Sequence, residues 1–264
     1  MRTEPLRVIQ ITDIHMVSEP GGRDHPYTAL ERILAWIRRD PWQPELILAT
    51  GDLSNDGSAA SYRRLQPLLA SIALPVYCIP GNHDEPAAME GSLLGGALRS
   101  LRVLVEDPWQ LLFLDSRVPG EDHGHLGTAE LAALEEALRA APERHTLVVL
   151  HHGPFPVCPL PNCQLDNAEE LCELLRRHPN ARAVLSGHNH CAVDKLHRGV
   201  RTLVTPATCN NFEHPGKPEE IDPQHIWATH RIDRTRQAFR RLELWPDGRI
   251  DTEVIWGYDP PQNP

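Results

Sequence analysis

Leu6-Arg7-Val8-Ile9-Gln10-Ile11-Thr12-Asp13-Ile14-His15 is an apolar run that breaks off into a carboxylate and an imidazole. The run is short and rich in β-branched residues, so it reads as a buried strand over 6–12. The same event recurs four times. Glu45 to Thr50 leads into Gly51-Asp52, Pro75 to Ile79 into Gly81-Asn82-His83-Asp84, Thr146 to Leu150 into His151-His152, and Ala183 to Ser186 into Gly187-His188-Asn189-His190. Helical periodicity fills the intervals. Tyr27 to Arg39 places Leu30, Ile33, Leu34 and Ile37 on one face. Ser58 to Ala70, Thr128 to Ala140 and Ala168 to Arg177 follow the same period, with Pro67 expected to end its helix early. Strands that alternate with helices predict an α/β fold, in which ligands bind beyond the carboxyl ends of the strands.

Shorter strands are expected at Leu101 to Val105 and Trp109 to Asp115. Lys195 to Val204 reads as a hairpin turning at Arg198-Gly199, and Arg240 to Leu244 with Ile250 to Trp256 as another around Pro246-Asp247-Gly248. Crossovers followed by hairpins make the sheets mixed. Nothing resembling a linker divides the chain, so residues 1–258 read as one domain with a lid-like loop near 209–224, and 259–264 as a Pro-rich tail.

Composition sets outer limits. The chain has 264 residues, of which 41% are hydrophobic, enough for one large core. Its formal charge of −10 is spread along the chain, which argues against a nucleic acid polymer as partner. A small anionic substrate stays compatible if bound cations reverse the local field. No apolar run is long enough to span a membrane, and the first residues lack a signal core, so a cytoplasmic location is expected.

Each polar cluster has a bland reading by itself. Asp-x-His arises by chance, Gly-Asn-His-Asp suits a turn, and paired histidines can sit at any strand end. All five share one structural position, which the bland readings leave unexplained. Asp13 and His15 are two residues apart, so an extended backbone would send both side chains to one face, and His188 with His190 repeats the spacing. The mixed oxygen and nitrogen donors suit iron, manganese or zinc better than a thiolate-selected metal.

In order and spacing, Asp13-x-His15, Gly51-Asp52, Gly81-Asn82-His83-Asp84, His151-His152 and Gly187-His188-x-His190 resemble the motif set of the calcineurin-like metallophosphoesterase superfamily. Ile9 to His15, Ala49 to Ser54, Ala141 to Thr146, Thr205 to Cys209 and Arg241 to Leu244 extend the resemblance to bacterial class III cyclic-nucleotide phosphodiesterases. The resemblance implies a four-layer αββα sandwich, two mixed β-sheets flanked by helices. It implies two metal ions, one held by Asp13, His15 and His190, the other by Asn82, His151 and His188, with Asp52 bridging. His83 would be the catalytic imidazole, beside Asn82 in contact with substrate. The implied reaction is hydrolysis of a cyclic nucleotide, 3',5'-cyclic AMP to 5'-AMP, by in-line attack of a metal-bridging hydroxide. Another small phosphate ester is the alternative substrate, and a non-catalytic nucleotide sensor the alternative role. His214, in the lid-like loop, is a further candidate for substrate contact. A homodimer through the hairpins or the tail stays open. Two departures stand out. Many superfamily members carry Asp three residues after the bridging carboxylate, where this chain has Asn55 followed by Asp56, which leaves open what orients His83. The stretch Val17 to Pro26 is short beside the subgroup's substrate-facing loop.

Overall fold

Burial along the first strand (β1, Leu6–Ile11) alternates with a period of two: Leu6 and Val8 join one buried cluster, Ile9 and Ile11 another. Such a strand is covered on both faces, and a computed structural model describing residues 2–19, 21, 25–157, 163–212, 232–233 and 237–257 gives the reason. The chain runs through α1 (Pro26–Arg39), β2 (Leu46–Thr50), α2 (Ala59–Ala70), β3 (Val76–Ile79), α3 (Pro86–Ser92) and β4 (Leu98–Arg99). It continues through β5 (Val103–Glu106), β6 (Trp109–Phe113), α4 (Thr128–Ala140), β7 (His145–Val149), α5 (Ala168–Arg176) and β8 (Ala181–Ser186). The remaining strands are β9 (Val193–His197), β10 (Val200–Val204), β11 (Asn211–Phe212), β12 (Ile232–Asp233), β13 (Gln237–Leu244) and β14 (Ile250–Gly257).

One six-stranded sheet has the order β14-β13-β1-β2-β3-β4 and the other β5-β6-β7-β8-β10-β9. Strands β1 to β4 run parallel, as do β6, β7, β8 and β10, with antiparallel strands outside them. The inner faces meet through Leu6, Val8, Leu46, Leu48 and Leu242 from the first sheet against Leu111, Phe113, Leu147, Val149 and Leu185 from the second. Odd-numbered neighbours in β1 and β2 turn outward under α1 and α2, while Leu112, Val148 and Val184 lie under α4 and α5. The molecule is therefore the four-layer αββα sandwich expected.

Several local expectations change. Pro67 lies inside α2 without ending it. Pro67 and Arg63 are both exposed, so the Arg63 carbonyl, deprived of its helical donor, faces water. The sequence reading missed α3 and β4, too short for a clear period, and β13 and β14 are longer than expected. The last part of the lid-like loop, residues 213–224, His214 within it and the tail at 259–264 lie outside the described residues. No helix among the described residues is long and apolar enough to cross a membrane.

Under the strand ends, buried polar groups tie the sheets together. Gln10 donates from Nε2 to Thr50 Oγ1 (2.7 Å) and to the Ser186 carbonyl (3.1 Å), and Thr205 Oγ1 donates to Gln10 Oε1. Arg240, nearly fully buried, gives its guanidinium protons to Thr205 Oγ1 (2.8 Å), Thr252 Oγ1 (3.1 Å) and the Val193 and Val204 carbonyls (3.0 and 2.7 Å). Burial pulls its pKa down to about 10, still protonated at neutral pH. These bonds fix the level of β1 and β2 against β8 and β10, and so the height at which the polar clusters leave each sheet.

Candidate metal centre

The five polar clusters emerge at the carboxyl ends of β1, β2, β3, β7 and β8, where the two sheets adjoin. Asp13, His15 and His190 offer donor atoms within 4.8 Å of one another, and so do His151, His152 and His188. Asp52 shares a third such group with His15 and His83, and a fourth with Asp13 and His151. His15 Nε2 stands 3.3 Å from His190 Nε2 and 3.6 Å from Asp52 Oδ2. Asp13 Oδ1 is 3.4 Å from His190 Nε2. Across the site, His152 Nε2 is 3.2 Å from Asn82 Oδ1, and its ring centroid lies 4.4 Å from that of His188.

The backbone does not reach this arrangement by extension. Asp13 (φ 52°), His15 (48°), Asp52 (49°), His188 (67°) and His190 (47°) are all left-handed, five of the eight non-glycine residues described with positive φ. The extended Asp-x-His geometry expected from the sequence is thereby corrected: each pair converges through tight turns. Each such residue costs of order 1 kcal/mol or more. Hydrogen bonds hold the turns. Asp13 and His15 donate their N–H groups to the Gly51 and Asp52 carbonyls (3.0 and 2.8 Å), and His188 donates to Asp13 Oδ2 (3.0 Å). Gly187 is required by space, because a Cβ there would lie 2.1 Å from Thr12 Oγ1.

Asp84 is the hub of the loops after β2 and β3. Its buried carboxylate accepts from the N–H groups of Leu53, Ser54 and Gly81 and from the Tyr62 hydroxyl (2.7–3.0 Å). Burial, with Asp52 nearby, raises its pKa despite these donors. Tyr62→Phe should cost about 1.5–3 kcal/mol, the range for a hydrogen bond to a charged group, read as a lower urea midpoint.

Electrostatics divide the imidazoles. Burial holds the pKa of His15 down to about 4 and that of His188 to about 3, and lowers His152 well below its usual value, so all three keep lone pairs at neutral pH. Burial also opposes charge on His151, but the Asp52 carboxylate 3.4 Å from its Nε2 prevails and raises it to about 9. His190 is raised in the same way by Asp13. Three buried atoms, Asp13 Oδ1, His15 Nδ1 and His151 Nε2, have no hydrogen-bond partner. A buried carboxylate oxygen and imidazoles facing one another at these distances form a donor set that fits a cation, since nitrogens about 2 Å from one ion lie about 3–4 Å apart.

The adjacent histidines differ. His151 Nδ1 donates to the Thr50 carbonyl (2.9 Å), and its ring is fully buried beneath Asp52 and Asp13. His152 instead turns Nε2 to Asn82 and rests Nδ1 on Ser116 Oγ (2.9 Å), which also accepts the His152 backbone N–H (3.2 Å). The sequence reading missed Ser116, an ordinary hydroxyl with no motif around it, and gave no role to Thr12, whose Oγ1 donates to Asp13 Oδ2 (2.8 Å). His83 is exposed, its ring edge-on to His15 at 4.8 Å. Its backbone N–H donates to Asp52 Oδ1 (3.0 Å), and Nδ1 lies 2.9 Å from the Asn55 backbone carbonyl. That carbonyl can only accept, so Nδ1 carries a proton and Nε2 is left for other chemistry. Among the described residues this carbonyl holds the ring, while the Asp52 carboxylate anchors the backbone of the same residue.

Comparison with known proteins agrees with this geometry. The chain is 37% identical over 255 residues to the 3',5'-cyclic adenosine monophosphate phosphodiesterase CpdA of Escherichia coli, covering 94% of this chain and 89% of that protein. It is 32% identical to a 3',5'-cyclic-nucleotide phosphodiesterase of a Nostoc species, covering 95% and 92% of the two chains. Among solved structures, a dimetal phosphatase from Danio rerio superposes with a TM-score of 0.64 at 14% identity, covering 96% of this chain and 99% of that one, a likeness of fold. Residues 6–192 match the calcineurin-like phosphoesterase family, and with strand-end clusters that meet as described the chain belongs to it.

Proposed function

We propose that this protein hydrolyses 3',5'-cyclic AMP to 5'-AMP at a two-metal centre. The observation that supports this most is the likeness to cyclic AMP phosphodiesterases along nearly the whole chain, with every strand-end cluster in place. Asp13, His15 and His190 would hold one ion and Asn82, His151 and His188 the other, with Asp52 between them. The Thr50 carbonyl holds His151 Nδ1, which leaves its unpartnered Nε2 toward Asp52 and Asp13. His152, whose Nε2 lies 3.2 Å from Asn82 Oδ1, stands in the same donor group as His151 and His188. Bound there, the ions would supply Lewis acidity that readies a water for attack and offsets charge on the phosphoryl oxygens.

The residues of the chain do the rest. Asp52 anchors the His83 backbone, and the Asn55 carbonyl holds the ring with Nε2 presented outward. With Nε2 protonated as well, His83 would give that proton to the 3' oxygen of the ribose as its bond to phosphorus breaks, while a water that loses one proton to solvent supplies the hydroxyl of the new phosphate. Purified protein supplied with manganese should convert cyclic AMP to 5'-AMP with a higher kcat/KM than cyclic GMP or bis(p-nitrophenyl) phosphate. Chelation should abolish turnover and added metal restore it. Tight nucleotide binding without turnover on any metal would make the protein a sensor, and a higher kcat/KM on another ester would move the substrate class.

A further inference from the structure

We propose that two copies of this chain join edge to edge through β5, antiparallel, about a two-fold axis at Leu104. Among the described residues β5 ends its sheet and pairs only with β6. The Arg102 carbonyl accepts from Phe113 N–H (3.0 Å), and the register pairs Val103 with Leu112. Residues 102, 104 and 106 therefore spend their backbone groups on β6, while Val103 and Val105 turn theirs outward.

The side chains point the same way. Four large hydrophobic residues are exposed among those described, and three fall in one five-residue run: Leu101 (38%), Val103 (43%) and Val105 (43%). Strand edges are ordinarily guarded by charge, proline, a bulge or shortness. This short edge carries its charges, Arg102 and Glu106, only at its ends and keeps an unbroken Val-Leu-Val centre.

The occupant is argued from charge. Arg102-Val103-Leu104-Val105-Glu106 is self-complementary when reversed. With Leu104 on the axis, Val103 stands opposite Val105 of the partner subunit, their outward N–H and C=O groups in register to exchange hydrogen bonds. Arg102 then stands opposite Glu106 of the partner subunit in register, and the symmetry repeats both contacts. Arg102 also donates from Nη1 to Glu130 of its own chain (2.7 Å), which steadies the guanidinium at the strand end. A foreign peptide would have no need of this palindrome; a second copy uses all of it.

Sedimentation velocity over a range of protein concentrations tests the pairing. Wild type should sediment at twice the 29.7 kDa chain mass. Val103→Lys with Val105→Lys, at exposed positions, should raise the dimer dissociation constant about tenfold or more, because like charges would then face each other. Arg102→Glu and Glu106→Arg should each weaken the dimer, and the two together restore it; a merely structural loss at Arg102 would not be rescued by Glu106→Arg. Thermal melts confirm that each variant folds, and the charge exchange decides if the lysine variant does not. A monomer at all concentrations, a dimer indifferent to the lysines, or a charge exchange without recovery would overturn the proposal. None of these readouts depends on phosphodiesterase activity, so the pairing and the enzymatic reading fail separately.

Discussion

Asp52→Asn should leave a folded protein that cannot hold two metal ions and turns over about 10³-fold or more slowly, the equivalent of about 4 kcal/mol of lost charge stabilisation. Asparagine is nearly isosteric and keeps an amide oxygen for the His83 N–H, so the loop after β3 retains its anchor. The anion is what disappears. In the native chain its Oδ2 lies 3.4 Å from His151 Nε2 and 3.6 Å from His15 Nε2, and Asp52 ionises well below the ordinary carboxylate range despite its burial. Without that charge, His151 loses the partner that raises it to about 9 and reverts toward the neutral form that burial favours. Plasma emission spectrometry on the purified variant, beside steady-state rates, checks the expectation. Two retained equivalents with near-native turnover would remove Asp52 from its place between the ions.

His83→Ala should do the opposite: keep the metals and lose rate. General acid assistance is worth about 10²–10⁴-fold, so kcat on cyclic AMP should fall within that range. A p-nitrophenyl ester departs without needing a proton, and its hydrolysis should fall far less. This contrast separates proton donation from damage to the site, which would slow both substrates alike. The geometry supports it, since the ring is exposed and touches His15 edge-on without sharing its buried position. Metal loss from this variant would instead place the imidazole among the ligands.

Burial of the strands on both faces was legible because their runs are apolar throughout and end at polar clusters, while the four layers were implied by the family resemblance. Leu6 and Val8 against Ile9 and Ile11 already describe a strand covered on two sides. Convergence of the clusters was legible too, since all five occupy strand ends. Spacing does not say how His151 and His152 are held: neighbouring residues at a strand exit diverge, and packing backs His151 with the Thr50 carbonyl and His152 with Ser116. Nor could it foresee the left-handed turns at Asp13 and His188, which depend on the Gly51 carbonyl and the Asp13 carboxylate brought from elsewhere in the chain. Pro67 was misread for the same kind of reason: its cost depends on whether the Arg63 carbonyl can find water, a property of the face and not of the residue. Ser116 and Arg240 lie outside the quoted motifs, Gln10 and Thr205 lie within them without a role, and only packing assigns all four their work.

The lean of His83 on the main chain at Asn55 has an evolutionary corollary. Every amino acid supplies a carbonyl, so on the role proposed for His83 any residue but proline, which would forfeit the N–H that Asn55 gives to the Met16 carbonyl, would leave delivery of the proton intact. Divergence there would be silent for chemistry, and a comparison that scores only side-chain identity would mistake it for decay of the enzyme.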